Sequence, residues 1–157
     1  MKRRIFTGLC TALVTPFSEH GIDFSMLEQL IEGQIAAGTE AIVLAGTTGE
    51  SPTLTHDEKL TLFREGVRMA AGRCKIIAGT GSNSTKTAMD LSREAEQIGV
   101  DGLLVVTPYY NKATQPGLVK HYSAICNGVS IPVIAYNVPS RTGVDISVDT
   151  CKSLAEI

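Results

Sequence analysis

The chain of 157 residues has no tryptophan, and aromatic residues of all kinds make up only 5% of it. It also lacks any apolar run long enough to span a bilayer. Residues 1–4 resemble the basic start of a signal peptide, but Thr7, Gly8 and Pro16 interrupt the following segment before an apolar stretch develops. We therefore expect a cytoplasmic protein with no membrane partner.

Charge of one sign is not concentrated anywhere in the chain. The 14 basic and 16 acidic residues leave a formal net charge of -2, and they form no blocks. Proteins that bind nucleic acid or anionic membranes usually present a basic surface. The balance therefore predicts a small ligand and no nucleic-acid partner.

Cysteine is sparse and widely spaced. Cys10, Cys74, Cys126 and Cys151 form no Cys-x-x-Cys motif, and no histidine stands at ligand spacing from them. This spacing supports neither a metal site nor a disulfide framework. We expect four reduced, buried thiols and no metal.

Short apolar runs alternate with longer amphipathic stretches along the chain. The runs predict strands over residues 10–14, 41–45, 75–78, 103–106 and 131–135. The amphipathic stretches predict helices over residues 25–37, 57–71, 85–98 and 117–127, and a fifth helix starts at Ser147 or Asp149. Strand alternating with helix is typical of parallel α/β architecture. The spacing fits either a five-stranded doubly wound sheet or about five units of a (β/α)8 barrel.

Capping signals support three of these helices. Asp23 and Ser84 are predicted N-caps, and Thr55 with Glu58 forms a predicted capping box. Glycines mark the predicted helix ends, at positions 38, 72 and 99.

Polar groups follow each predicted strand, whereas the opposite ends of the strands are plain. After residue 45 the sequence reads Gly-Thr-Thr-Gly-Glu-Ser, in which Thr47, Thr48 and Ser51 supply hydroxyls and the turn supplies N–H groups. Glu50 is expected to hold this loop by accepting backbone N–H bonds. Carboxyl ends of parallel strands meet at one edge of a sheet, so we predict a small-anion site there. The plainer interpretation is a strand-to-helix turn whose hydroxyls cap a helix.

Side chains suited to proton transfer stand in the same set of loops. Thr47, Tyr110 and Tyr136 offer a chain of hydroxyl groups that can pass protons to and from a substrate. Arg141 lies in a turn between a proline and a glycine, where a guanidinium suits bidentate carboxylate recognition. The alternatives are packing of Tyr109 and Tyr110 at a loop edge and a solvated Arg141.

Two other site types receive little support. His20, His56 and His121 are scattered, form no triad with a serine and an acid, and are expected at the surface or at helix caps. The segment Gly79-Thr80-Gly81 lacks the remaining residues of a dinucleotide or P-loop motif, so a nucleotide-binding protein is a weak alternative.

Three motifs together resemble those of the dihydrodipicolinate synthase family, whose members are also called 4-hydroxy-tetrahydrodipicolinate synthases and belong to the N-acetylneuraminate lyase superfamily. The motifs are residues 46–51, 107–112 (Thr-Pro-Tyr-Tyr-Asn-Lys) and 136–143 (Tyr-Asn-Val-Pro-Ser-Arg-Thr-Gly). The resemblance implies a TIM (β/α)8 barrel, a lyase that condenses pyruvate with L-aspartate semialdehyde towards diaminopimelate and lysine. It further implies a Schiff base on a lysine, no cofactor, and a homo-oligomer, either dimer or tetramer.

The resemblance also assigns roles to individual residues. Thr47, Tyr110 and Tyr136 match the family's proton relay, with Tyr110 expected to reach the site of a neighbouring subunit. Thr48 matches a pyruvate carboxylate contact, and Arg141 matches the residue that binds the semialdehyde carboxylate.

An allosteric lysine site is a further implication of the resemblance. His56, Asn83 and Tyr109 match its positions. Lys59 and Thr87, however, stand where lysine-sensitive relatives carry a histidine and a glutamate. The lost carboxylate and the added cation should weaken binding of a cationic effector. We predict weak or absent inhibition by lysine.

The Schiff-base lysine has no match among the 157 residues. The family places it on the strand after the helix that contains Ile157, so residues 1–157 are expected to form a partial barrel truncated within its fifth helix. Such a chain is expected to be inactive alone. Alternatives are a pyruvate aldolase of the sialate lyase type and a non-catalytic binding fragment.

Overall fold

A computed structural model describes residues 4–157 of the chain. Its main sheet has five parallel strands in the order β1-β4-β5-β6-β7. The strands are β1 (Cys10–Ala12), β4 (Ala41–Leu44), β5 (Lys75–Gly79), β6 (Gly102–Val106) and β7 (Val133–Tyr136). A separate antiparallel pair is formed by β2 (Phe17–Ser18) and β3 (Gly21–Ile22).

The strand order distinguishes between the two predicted architectures. From β4 onwards, each strand of the main sheet pairs in parallel with the main-sheet strand that comes before it in the sequence. Cys10 lies opposite Ala41 in the first pair, and Val106 lies opposite Tyr136 in the last. A doubly wound sheet would reverse its direction at a switch point. Uniform progression with right-handed crossovers instead places every helix on the same face, as in a barrel. The barrel prediction is confirmed, and the doubly wound alternative is wrong.

Six α-helices within residues 4–157 connect or follow the strands. They are α1 (Phe24–Ala36), α2 (His56–Ala70), α3 (Thr85–Ile98), α4 (Gln115–Cys126), α5 (Pro139–Thr142) and α6 (Val148–Ala155). The neighbouring pairs α1–α2, α2–α3, α3–α4 and α4–α6 pack against each other. The helices therefore form a continuous layer on the outer face of the sheet.

The predicted N-caps form, and glycines with a positive φ lie at or directly after the C-caps of the three helices. The side chains of Asp23 and Ser84 accept N–H bonds at their helix starts, and Thr55 and Glu58 form both halves of the capping box. Gly99 ends α3 with a φ of 98°. Helix α2 ends at Ala70, and its C-cap residue Ala71 itself adopts the left-handed conformation with a φ of 48°, directly before the predicted Gly72.

Three small elements are missing from the sequence prediction. They are the β2–β3 pair, a short 3-10 helix (Ser51–Thr53) and helix α5. Each spans only two to four residues, which is too short for periodicity to reveal.

The core has two layers, one on each face of the sheet. The larger lies between sheet and helices and contains Phe63, Leu27 and Leu118. The smaller lies on the inner face, where Ala41, Val43 and Ile77 contact partly buried residues such as Leu104.

Two predictions about burial are wrong. No disulfide joins the cysteines within residues 4–157, but the expected burial holds for Cys74 alone. Cys10 and Cys126 are partly exposed, and Cys151 is exposed on the outward side of α6. His121, expected at the surface or at a cap, is 5% exposed. It lies on the core side of α4, where its Nδ1 atom is 2.9 Å from the Thr85 hydroxyl.

Within residues 4–157, no helix combines the length and the apolar character needed to cross a membrane.

Candidate active site

A cleft of about 320 Å³ opens where the loops that follow the strands come together. Its lining combines glycine and alanine residues, hydroxyl and phenol groups, and two cationic side chains. The lining residues are Ala45, Gly46, Thr47, Ser51, Pro52, Lys59, Gly79, Gly81, Leu104, Val106, Tyr109, Tyr136, Val138, Arg141 and Thr142. The predicted convergence of polar groups at one edge of the sheet is therefore confirmed.

The loop after β4 is held by its own backbone. The N–H groups of Gly49, Glu50 and Ser51 donate to carbonyls of Gly46 and Thr47 at 3.1 to 3.3 Å. The carboxylate of Glu50 accepts no hydrogen bond from residues 4–157, so the prediction that it holds the loop is wrong. Its backbone carries that role, because its left-handed φ of 57° turns the chain into the following 3-10 helix.

Thr15, in the segment that follows β1, fixes the same loop. Its buried hydroxyl donates to the Gly49 carbonyl at 2.8 Å. In contrast, the Thr47 and Thr48 N–H groups donate to no acceptor within residues 4–157, and both residues are exposed. The loop therefore has two adjacent N–H groups without an acceptor among the described residues, and the small-anion site at this loop stays a prediction.

Glycine is required where the loops after β4, β5 and β6 approach one another. A Cβ atom at Gly79 would lie 2.0 Å from the Ala45 carbonyl oxygen, and one at Gly81 would lie 2.4 Å from the Val106 nitrogen. No side chain can occupy either position without moving backbone. The cleft floor is therefore built of closely packed main chain.

The loop after β6 turns sharply at Tyr110. Its φ is 72°, and the Asn111 N–H donates to the Tyr109 carbonyl at 2.8 Å, which makes a γ-turn centred on Tyr110. This left-handed conformation is strained for a bulky residue. It directs Tyr109 into the cleft lining and leaves Tyr110 88% exposed.

The loop after β7 carries Tyr136 and Arg141. Tyr136 is the last residue of its strand, and its carbonyl accepts the Thr107 N–H at 3.1 Å. Asn137 bridges to the Asp145 carboxylate at 2.7 Å and to the Ile146 N–H at 3.2 Å, which closes the loop around α5. This loop places the Arg141 side chain in the cleft lining.

The structure brings together only part of the predicted relay. Thr47 and Tyr136 line the same cleft, but no hydrogen bond joins their side chains to each other or to Tyr110 within the described part of the chain. Tyr110 points outward and Thr48 lies beside the cleft lining. Within residues 4–157 of one copy, these hydroxyl groups therefore form no continuous chain.

The predicted allosteric residues are also divided. Tyr109 lines the cleft, whereas His56 lies 2.6 Å from the Glu94 carboxylate. Asn83 contacts the loop after β6, where its carbonyl accepts the Asn111 side-chain N–H at 2.9 Å. Of the five positions discussed for the lysine site, only Tyr109 and Lys59 line the cleft.

Lys59 was not predicted as part of the active-site cleft. The sequence places it in a helix, which hides the fact that the first turn of α2 lies at the same edge as the carboxyl end of β4. The signal that could have found it is its position only four residues after the N-cap Thr55. Partial burial lowers the pKa of the Lys59 ammonium, because burial disfavours the charged form.

No group of three or more His, Cys, Asp or Glu side chains within residues 4–157 is arranged to hold a metal ion.

Comparisons with known proteins agree with this geometry. A sequence profile of the Dihydrodipicolinate synthetase family matches residues 5–157. A curated 4-hydroxy-tetrahydrodipicolinate synthase from Geobacter metallireducens is 51% identical over 151 residues, which are 96% of this chain and 52% of that protein.

Solved structures give the same result. The crystal structure of dihydrodipicolinate synthase from Aquifex aeolicus has a TM-score of 0.94 and 52% identity, covering 96% of this chain and 52% of that one. A chloride-inhibited dihydrodipicolinate synthase from Acinetobacter baumannii, solved in complex with pyruvate, has a TM-score of 0.93 and 51% identity over 96% of this chain and 52% of its own. The chain thus spans about half the length of the relatives that it matches.

Proposed function

The chain belongs to the Dihydrodipicolinate synthetase family, and from this premise we propose that it forms part of a 4-hydroxy-tetrahydrodipicolinate synthase, a lyase that condenses pyruvate with L-aspartate semialdehyde in diaminopimelate and lysine biosynthesis. The observation that carries the proposal is the single cleft shared by Thr47, Tyr136 and Arg141. These are the residues that the family resemblance assigns to proton transfer and carboxylate binding.

Pyruvate binding is supported by the loop after β4. The free N–H groups of Thr47 and Thr48 form a neutral anion cradle that suits a carboxylate. The pyruvate complex of the Acinetobacter baumannii relative shows that a protein 51% identical to this chain takes that ligand. We assign Thr48 to the pyruvate carboxylate.

Selection of the second substrate is assigned to Arg141. Its guanidinium can hold the semialdehyde carboxylate by two parallel hydrogen bonds. Placing both substrates in one cleft lowers the entropic barrier to forming the bond between them. Tyr136, at the carboxyl end of β7, passes protons to and from the reacting carbons, with Thr47 in the same lining.

Two components of the reaction lie outside the cleft of one copy. Tyr110, 88% exposed at its γ-turn, completes the relay in a neighbouring subunit of a homo-oligomer. The Schiff-base lysine belongs to the part of the family that residues 1–157 do not span, on the strand after α6. No organic cofactor or metal enters this proposal.

The test uses a chimera in which residues 1–157 replace the matching half of the Aquifex aeolicus synthase. We expect condensation of pyruvate with aspartate semialdehyde, and a pyruvate adduct trapped by borohydride and detected by intact mass. Tyr136→Phe removes a proton-transfer group and should lower kcat by about 100-fold. Tyr122→Phe is the matched control, since the Tyr122 hydroxyl donates to the Val105 carbonyl away from the cleft.

Equal activity of Tyr136→Phe and Tyr122→Phe would contradict the assignment of Tyr136. The sialate lyase alternative has its own outcome. Condensation of pyruvate with a sugar aldehyde, but not with aspartate semialdehyde, would replace the proposed substrate while retaining the Schiff-base chemistry.

A further inference from the structure

The Arg141 side chain depends on the backbone around it for its position. Within residues 4–157, its guanidinium forms no ion pair and no hydrogen bond. It is carried by α5, which has only four residues and no side-chain cap. A helix of this length is not stable by itself. The placement of Arg141 in the cleft lining therefore requires other contacts that hold both ends of its loop.

Gln115 holds the far end of that loop through three hydrogen bonds. It is the first residue of α4, and its Nε2 atom donates to the Asp145 carbonyl at 2.8 Å. Its Oε1 atom accepts the Ser147 N–H at 3.0 Å and the Thr150 hydroxyl at 2.6 Å. A carbonyl acceptor on one side and an N–H donor on the other determine which way the amide points. Both ends of the amide are therefore used.

A second amide, Asn137, contacts the same segment from within the loop. Its side chain bonds to the Asp145 carboxylate and to the Ile146 N–H, so it ties the end of the loop to the loop's own start after β7. Gln115 belongs instead to α4, whose buried Tyr122 donates to a carbonyl of β6. Gln115 thus joins the loop after β7 to the neighbouring strand–helix unit.

Burial alone does not set the direction of this loop. Val144 and Ile146 are buried in the larger core, which determines how deeply the loop sits. Apolar burial is non-directional, whereas a hydrogen bond requires a narrow range of distance and angle. The three bonds of Gln115 therefore restrict the sliding and rotation that burial leaves possible.

We propose that Gln115 is a positioning residue for the second substrate. By holding residues 145–147 it orients the turn that presents Arg141, and bidentate recognition of a carboxylate requires a defined orientation of the guanidinium. Gln115 is not among the residues that line the cleft, so it acts through the loop and not by contact with a substrate. The inference rests on the proposed function, in which Arg141 binds the carboxylate of aspartate semialdehyde.

The kinetic test uses the chimera described above, with Gln115→Met as the variant. Methionine keeps the length of the side chain and removes the amide. We expect KM for aspartate semialdehyde to rise about tenfold, since a misdirected guanidinium loses a charge-assisted hydrogen bond. KM for pyruvate and the rate of borohydride trapping of the pyruvate adduct should stay within about twofold, because Arg141 does not contact pyruvate in the proposed function.

Gln97→Met is the matched control. Gln97 is an exposed residue of α3, far along the chain from the loop after β7, and the same substitution there should change each constant less than about twofold. An unchanged KM for aspartate semialdehyde in Gln115→Met would overturn the proposal. Equal rises in the KM values of both substrates would also overturn it, since they would reflect a general loss of structure.

Thr150→Val guards against a Gln115→Met variant that does not fold. Valine keeps the shape of this buried side chain and removes one of the bonds to Gln115. KM for aspartate semialdehyde should then rise about threefold, as for the loss of one neutral hydrogen bond. An unchanged KM in a folded Thr150→Val chimera would overturn the proposal.

Amide hydrogen exchange in the purified 157-residue protein separates this inference from the proposed function. Exchange at residues 141–147 should be about fivefold faster in Gln115→Met than in Gln97→Met, while exchange in β5 stays equal. Equal exchange at residues 141–147, with an active chimera, would overturn this inference alone. A chimera that does not condense the two substrates would overturn the proposed function and, with it, the role of Gln115 toward the second substrate.

Discussion

At the scale of single residues, the cleft depends on backbone segments that approach more closely than side chains allow. Gly79 faces the Ala45 carbonyl, and Ala45 itself has a left-handed φ of 50°. Gly49 packs against Leu13 and Thr15, where the Thr15 hydroxyl holds its carbonyl. The strain at Ala45 and Tyr110 lies in loops that border the cleft, where such strain commonly accompanies function.

Gly79→Ala should destabilise the protein strongly. The added Cβ would lie 2.0 Å from the Ala45 carbonyl oxygen, and relief requires movement of the backbone of β5 or of the following loop. We expect a loss of about 3 kcal/mol in the free energy of unfolding, measured by urea denaturation followed by circular dichroism.

Gly33→Ala is the matched control for that variant. Gly33 lies within α1, and a Cβ there would meet no atom within 4 Å. Alanine should stabilise the helix by roughly 0.5 kcal/mol. Equal effects of the two substitutions would contradict the close approach of the loops after β4 and β5.

At the scale of secondary structure elements, the start of α2 contributes both to the stability of the fold and to the wall of the cleft. Its capping box fixes the start of the helix, and Lys59 lies in its first turn. Glu58 also has a lowered pKa, because its carboxylate accepts the Thr55 N–H and hydroxyl. The position of the cleft wall therefore depends on a cap formed outside the cleft.

Thr55→Ala should reduce the free energy of unfolding by about 1 kcal/mol, since it removes the side-chain acceptor for the Glu58 N–H. It should also increase amide hydrogen exchange in the first turn of α2. Thr55→Ser keeps the hydroxyl and should stay close to the unmodified protein. A loss as large in Thr55→Ser would indicate that the methyl group, not the cap, stabilises this turn.

The long helices and their N-caps were the part of the fold that the sequence predicted well. Caps such as Asp23, Thr55 and Ser84 are local, and the buried face of a long helix recurs with the helical period, as Ala88, Leu91 and Ala95 do in α3. The turn at Tyr110 is tied to a distant loop by Asn111, whose side chain donates to the Asn83 carbonyl, and the buried side of His121 contacts the distant Thr85. No local pattern contains either contact. The place of Lys59 in the cleft lining also depends on the tertiary structure, since β4 and its loop position the start of α2.

At the scale of the whole molecule, acid should destabilise the fold in two steps. Burial lowers the pKa of His121 from its ordinary value of 6.5, so the unfolded chain binds this proton more tightly than the folded one. Stability therefore falls as the pH drops below about 6.5. Hydrogen bonds lower the pKa of Glu40 and Glu96 from 4.5, so their contribution is present above that value and is lost as the pH falls through their folded-state pKa values.

His121→Gln should remove the first step and retain the second. The measurement is the urea midpoint from pH 7 down to about pH 2, which extends well below the ordinary pKa of 4.5 of the two carboxyl groups. His20→Gln is the control, since His20 is exposed and should leave both steps in place. An unchanged decline between pH 7 and pH 5 in His121→Gln would mean that another group causes the first step.

The sequential order of the sheet has a consequence for how the protein is made. Each main-sheet strand pairs with the one before it, and each large helix packs on the preceding large helix. A chain that emerges from the ribosome can therefore dock one strand–helix unit at a time onto the units already formed, without waiting for a distant partner. Synthesis and folding can proceed in the same direction, and an interruption in synthesis would leave a shorter stack of the same units.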